Sequence, residues 1–409
     1  MSSSEPTIGA AASRLSTWRI VWGAICVVGV AGWLACAFWW DAAGAWRAML
    51  INFAYFTPMA AGMACWPAVV MASRGRWMGE VQRTAMAGVS FAPVSIVVFL
   101  TLWAAAACVE PANCWAAAWI YPPKPLHNAA WLAPNFMFIR DGAGLLILWI
   151  MSVVFARRCR GGRASKALAG WLVFAYCIVM SLVAFDMVMA LDPHWYSTLF
   201  GGYFFISGMY IAVAAWALMA VLWQPGQWHG HLAHESQEHP APAISGTEHG
   251  RDARAIHGQD ARATRHDLGK LVVTFSLLTT YMMFSQLMVI WYENLPDEVR
   301  FVIPRLRMDE YGWVSAVLLA VIYLGPLVYL LTVWSKKSRA YLAVAAVVVL
   351  AGMWVERWWL VAATVSERRP VFSLADPFAA AAMAGLFVLL AGRQFRLDSA
   401  VPVREGPVA

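Results

Sequence analysis

The chain has 409 residues, of which 61% are hydrophobic and 13% charged, with 24 Trp, 20 Phe and a net charge of +7. A soluble domain needs roughly 25% charged residues to keep its surface wet, so this composition excludes a soluble globular protein and a disordered one alike. The apolar residues fall in uninterrupted blocks about 20 long, the length that crosses the roughly 30 Å hydrocarbon core of a bilayer.

Ten such blocks follow one another, at about 20–40, 48–72, 84–107, 136–156, 167–191, 197–223, 271–292, 312–334, 341–364 and 375–392. Each is expected to be a helix, because a helix satisfies its own backbone groups where water is absent. A barrel would alternate apolar and polar residues with period two. The first block follows Arg14 and Arg19 with no small-residue cleavage site after it, and is read as a retained span.

Basic residues set the orientation. With the N-terminus inside, the cytoplasmic segments hold 21 of the 30 Lys and Arg, including the run Arg157, Arg158, Arg160, Arg163 and Lys166. The outer loops carry acids such as Glu293, Asp297 and Glu298. Both termini are therefore expected in the cytoplasm. This bias accounts for the positive charge, and no nucleic acid partner is implied.

Spans 3–5 are joined by a long outer loop and a short basic inner one, and spans 7–9 repeat that pattern. The offset of four spans is even, so the halves lie parallel, whereas inverted transporter repeats need an odd offset. The expected fold is all-α integral membrane: two parallel-related four-helix bundles, spans 2–5 and 6–9, with spans 1 and 10 peripheral. Residues 1–223 form the N-terminal membrane half and 269–409 the C-terminal one. Between them, 224–268 carries seven of the nine His and the near-repeat HGRDARAI (249–256) and HGQDARAT (257–264). Its His spacing is irregular and no Cys accompanies it, so a solvated, disordered cytoplasmic insertion is expected in place of a metal site.

Outside that insertion only His127 and His194 remain, too few to hold paired haems within the spans. No haem-attachment, iron–sulfur or phosphate-loop motif occurs. No covalently bound cofactor and no metal are expected. Cys108 and Cys114 share an outer loop and are either bridged or free.

Ionisable groups inside a membrane cost several kcal/mol unless paired or hydrated, so each is a candidate. Arg140 and Asp141 begin span 4, Asp186 is near the outer end of span 5, and Glu356 with Arg357 occupy span 9. Span 7 adds Gln286 and Tyr281. The plain reading of Arg140 and Asp141 is an interfacial capping pair. For Glu356 and Arg357 it is an ion pair with another helix, since adjacent helical residues point about 100° apart. Asp186 has no basic neighbour on its helix, so a partner from another span or a proton must neutralise it, and its role is either proton exchange, a hydrogen bond to a quinone oxygen, or a structural hydrogen bond. His194, in the turn DPHWYS, is either part of an anchored turn or a relay that passes a proton from Asp186 to water.

The stretch AFDMVMALDPHWYSTLFGGYFFISG (184–208) resembles the segment joining the fifth and sixth helices of the F subunit of alternative complex III. FSQLMVIWYENLPDE (284–298) and VERWW (355–359) are similar to further parts of it, and the likeness covers about 45–392 apart from the insertion. That subunit belongs to the NrfD/PsrC-like membrane proteins, which have two four-helix bundles and no haem or metal of their own. The resemblance implies a subunit of a bacterial inner-membrane quinol:cytochrome c oxidoreductase. It implies as partners a paralogous quinol-binding membrane subunit, an iron–sulfur protein and multihaem cytochromes c, and as ligand a quinone or quinol, menaquinone or ubiquinone alike. It further implies a proton path, with Asp186, His194, Glu356, Arg357, Arg140, Asp141, Gln286 and Tyr281 as proton or quinone candidates. A secondary transporter and a purely structural scaffold of the same complex are the alternatives.

Overall fold

In the computed structural model, residues 8–75, 77–78, 81–110, 114–121, 129–223, 249–307, 309–365 and 372–399 are described. Among them every regular element is helical. Ten helices are long and apolar enough to cross a membrane: Thr17–Trp40, Ala42–Ala72, Val81–Cys108, Pro134–Arg160, Lys166–Leu191, Thr198–Trp223, Arg265–Glu293, Gly312–Tyr329, Arg339–Val365 and Ala375–Leu397. They coincide with the ten apolar blocks and are spans 1 to 10 below. The protein is an all-α, multi-pass membrane protein.

Local chemistry sets the ends. Asp41 caps span 2 by accepting from the Gly44 N–H at 2.8 Å, and Ser165 caps span 5 by accepting from Leu168 at 3.3 Å. Span 4 opens on Pro134, whose missing N–H costs nothing in a first turn. Three stretches wind as π-helix: Cys36–Trp40, Ala184–Val188 and Leu319–Leu324. A π turn holds an extra residue and commonly marks a functional position, and Asp186 sits within the second.

Span 2 is buried almost throughout and contacts spans 3, 4 and 5, while span 6 contacts 7 and 9, and span 8 contacts 7 and 9. The two groups meet through spans 2 and 6, and crosswise through 2 with 9 and 6 with 5. That exchange is what two parallel, similar bundles would give. Span 1 is largely exposed and pairs with span 10. Span 10 is less peripheral than expected. Its alanine-rich face lies against spans 2 and 3, with the Phe387 ring 5.7 Å from Phe91 and 6.4 Å from Phe56.

The loops sort onto two faces. On the face holding both terminal helices' ends, Arg265 Nε donates to Lys337 O at 3.1 Å and Trp18 meets Trp223 edge-on at 6.3 Å. On the opposite, distal face, Ser373 Oγ donates to Asp41 Oδ2 at 2.6 Å and Arg300 pairs with Asp192 at 2.9 Å.

The insertion differs from the sequence expectation. Residues 224–248 lie outside the described residues, but His249–Glu293 is one continuous helix, so span 7 extends back through the polar repeat. Ala and Arg, the commonest residues of that repeat, are good helix formers. Leu268 and Arg265 are buried and tie this end down.

Candidate functional site

Among the buried charges toward the distal face, two groups lie one in each bundle. In the first, Arg140 of span 4 places Nη2 2.5 Å from Asp186 Oδ2 of span 5, and Nε 3.5 Å from Asp141 Oδ1. Trp131, just before span 4, donates from Nε1 to Asp186 Oδ1 at 2.8 Å, and its ring lies 3.8 Å from the guanidinium carbon. Asp141 and Asp186 are buried. Both Asp141 oxygens lack a hydrogen-bond partner among the described residues. One guanidinium therefore faces two carboxyls.

This overturns one sequence expectation and decides between the alternatives of another. Arg140 and Asp141 are not an interfacial capping pair, because Arg140 reaches across to another span. For Asp186 the partner from another span, one of the alternatives the sequence left open, is Arg140 of span 4, joined by the Trp131 indole N–H. The signal was absent from span 5 alone, since the partner is 46 residues earlier.

The second group joins spans 6, 8 and 9. Glu356 and Arg357 pair with each other, Nη1 lying 3.1 Å from Oε2, although adjacent helical positions diverge. The long Arg357 side chain folds back, and its Nη2 donates to Ser207 Oγ at 2.6 Å while its carbon lies 4.2 Å from the Phe204 ring. Tyr203 donates to Glu356 Oε1, and its hydroxyl is 2.9 Å from that of Tyr323. Glu356, Arg357, Tyr203 and Ser207 are fully or almost fully buried. The chain Tyr323–Tyr203–Glu356 is thus a continuous run of groups that can each give and take a proton.

The remaining candidates stand apart. His194 is exposed, and the contact it makes is from its backbone N–H to Asp192 Oδ1 at 3.3 Å, so the turn is anchored by Asp192 and not by the imidazole. Tyr281 is exposed on span 7. Gln286 is buried, with Oε1 unpartnered among the described residues. His127 lies outside the described residues. Cys108 and Cys114 are free thiols.

Sequence reasoning passed over Tyr203, Ser207, Tyr323 and Trp131. For span 6 a signal existed: Tyr203, Ser207 and Tyr210 recur at i, i+4 and i+7, one polar stripe on an otherwise apolar helix. It also passed over Arg47 and Asp376, 3.9 Å apart, which with Asp41 and Ser373 join the distal ends of spans 2 and 10.

No known protein-family model matches this chain, and no curated protein matches it. The functional reading therefore rests on the two charge groups and on the motifs that hold them.

Proposed function

We propose that the chain is an integral membrane subunit of a respiratory quinol:cytochrome c oxidoreductase of the alternative complex III type, and that its buried carboxyls move protons toward the distal face. In this reading the chain has no redox centre. Electrons pass through iron–sulfur and multihaem cytochrome partners, and a paralogous membrane subunit binds quinol. The membrane is the bacterial inner membrane, the distal face is periplasmic, and both termini are cytoplasmic.

One observation carries the reading. Each bundle holds a carboxyl–arginine group at the distal end of an equivalent helix, Asp186 on span 5 and Glu356 on span 9. The stretch 184–208, which most resembles the family, contributes Asp186 to the first group and Tyr203 and Ser207 to the second. VERWW contributes Glu356 and Arg357. The similarity thus gathers on residues of both charge groups. Buried ionisable groups are expensive in a membrane and are kept where ions or protons travel.

The transporter alternative predicts irregular helices at corresponding places in the two halves. The π turns of spans 5 and 8 do not correspond under the four-span offset. The test is purification of the tagged chain from native membranes in mild detergent. Co-elution of c-type haem and quinol-dependent cytochrome c reduction is the expected result. Elution of the chain alone, with solute uptake after reconstitution, contradicts the proposal.

A further inference from the structure

Between spans 7 and 8, the helix Pro296–Leu306 lies on the distal face. Phe301, Val302 and Arg305 are buried, whereas Ile303 and Leu306 are exposed. Exposed apolar side chains beside arginines are typical of a helix lying in the membrane interface. Beside this helix is a cavity of about 490 Å³ whose polar lining is Asp192, Arg300, Arg305, Arg307, Glu310 and Thr364.

The charges in that lining do not balance. Arg300 Nε is 2.9 Å from Asp192 Oδ2, and Arg307 Nη1 is 3.5 Å from Glu310 Oε1. Two acids are matched to two arginines, and Arg305 is left over. It is 3% exposed, yet its bonds go only to neutral acceptors: Phe301 O at 2.7 Å, Leu360 O at 2.8 Å and Thr364 Oγ1 at 2.8 Å. Its Nε–H is buried with no hydrogen-bond partner among the described residues. A guanidinium has five N–H donors, so this one is under-used. Burial pushes it down to about 9, which still leaves it cationic at neutral pH. Among the described residues Arg305 makes no ion pair, and Asp192 and Glu356 act on it only from farther off, so an anion in the cavity would relieve a costly buried charge.

We propose that this cavity is a binding site for a phosphate-bearing anion, presented either by the headgroup of an anionic phospholipid in the distal leaflet or by free phosphate. The described lining holds three arginines against two acids, with buried Arg305 flanked by the exposed Arg300 and Arg307. Planar guanidinium forks match phosphate oxygens in pairs, which a single ammonium does not. Apolar Pro296, Phe301, Ile303, Pro304 and Ala363 complete the lining beside the polar groups, which suits a group whose charged end continues into an acyl chain. The inference does not depend on the respiratory reading.

Native mass spectrometry of the purified protein in detergent tests it, titrating dioleoylphosphatidylglycerol, dioleoylphosphatidylcholine or inorganic phosphate. Wild-type protein is expected to hold phosphatidylglycerol about tenfold more tightly than phosphatidylcholine, whose phosphate is already balanced by choline. Arg300→Gln with Arg307→Gln, at partly exposed positions that leave the fold intact, is expected to weaken phosphatidylglycerol about tenfold. Arg305→Lys, which keeps the charge and loses the fork, should weaken it as well. Displacement of the lipid by inorganic phosphate supports a free anion as occupant, and resistance to displacement supports the lipid. Equal binding of the two lipids, or phosphatidylglycerol binding unchanged in Arg300→Gln with Arg307→Gln, overturns the proposal.

Discussion

Arg140 Nη2 lies 2.5 Å from Asp186 Oδ2, joining spans 4 and 5 inside the first bundle. Because Asp141 faces the same guanidinium, the group contains one cation and two carboxyls. One proton would bring it to neutrality. Asp186 is firmly held by Arg140 and Trp131, whereas Asp141 makes no hydrogen bond among the described residues. Asp141 is therefore the carboxyl freer to exchange that proton, and Asp186 the one that fixes the arginine.

Asp186→Leu removes both the charge and the acceptor, leaving Arg140 with Asp141 alone. Breaking a buried pair in this way costs about 3 kcal/mol or more. Asp186→Asn keeps an acceptor for the Trp131 N–H and is expected to cost less. Thermal unfolding of the purified protein in detergent checks the order, and equal stability of the two variants would count against the ion pair as drawn.

In the second bundle, Ser207→Ala leaves Arg357 Nη2 with only the Phe204 carbonyl, at 3.4 Å. Losing a hydrogen bond to a buried charge should destabilise by about 1.5–3 kcal/mol. Tyr323→Phe leaves Glu356 its Tyr203 donor and should be milder than Tyr203→Phe, which removes the middle of the chain. Unfolding midpoints that ranked Tyr323→Phe as the more harmful would contradict the order Tyr323–Tyr203–Glu356.

Much of the fold was legible because its code is coarse. An apolar block of about 20 residues has one economical structure in a bilayer, and all ten blocks could be placed from length alone. The site was less legible, because its contacts join distant positions. Nothing in span 5 names Arg140 as the partner of Asp186, and nothing in span 9 points to Tyr203, 153 residues away. Tyr281 and Gln286 share span 7, yet five residues place them roughly 140° apart round a helix. One is exposed and the other buried.

Spans 1 and 10 approach closely at Gly29, where an added Cβ would meet the backbone nitrogen of Ala382 and the carbonyl oxygen of Phe378. Backbone cannot swing aside as a side-chain tip can. Gly29→Leu is expected to cost about 1–3 kcal/mol through overpacking and to expose the junction of spans 1 and 2 to protease. Wild-type cleavage rates in this variant would show that the two spans are not packed as described.

The proposed orientation rests on the distribution of Lys and Arg. An alkaline phosphatase reporter fused near residue 115 or 300 should be active, and one fused after Gly161 or within 224–268 inactive. The reverse pattern would put the charge groups near the cytoplasm and undo the proposed direction of proton movement.

Proton release per electron in the purified, reconstituted complex, wild type against Asp141→Asn, tests the central claim most directly. Asn preserves the size of Asp141 and weakens its 3.5 Å contact with Arg140, while Arg140 keeps its shorter pairing with Asp186, so assembly and haem content should stay normal. The account predicts quinol-driven turnover slowed about tenfold or more, or a lowered proton-to-electron ratio, with Glu356→Gln behaving similarly through the second bundle. Wild-type turnover together with wild-type proton release in both variants would contradict it.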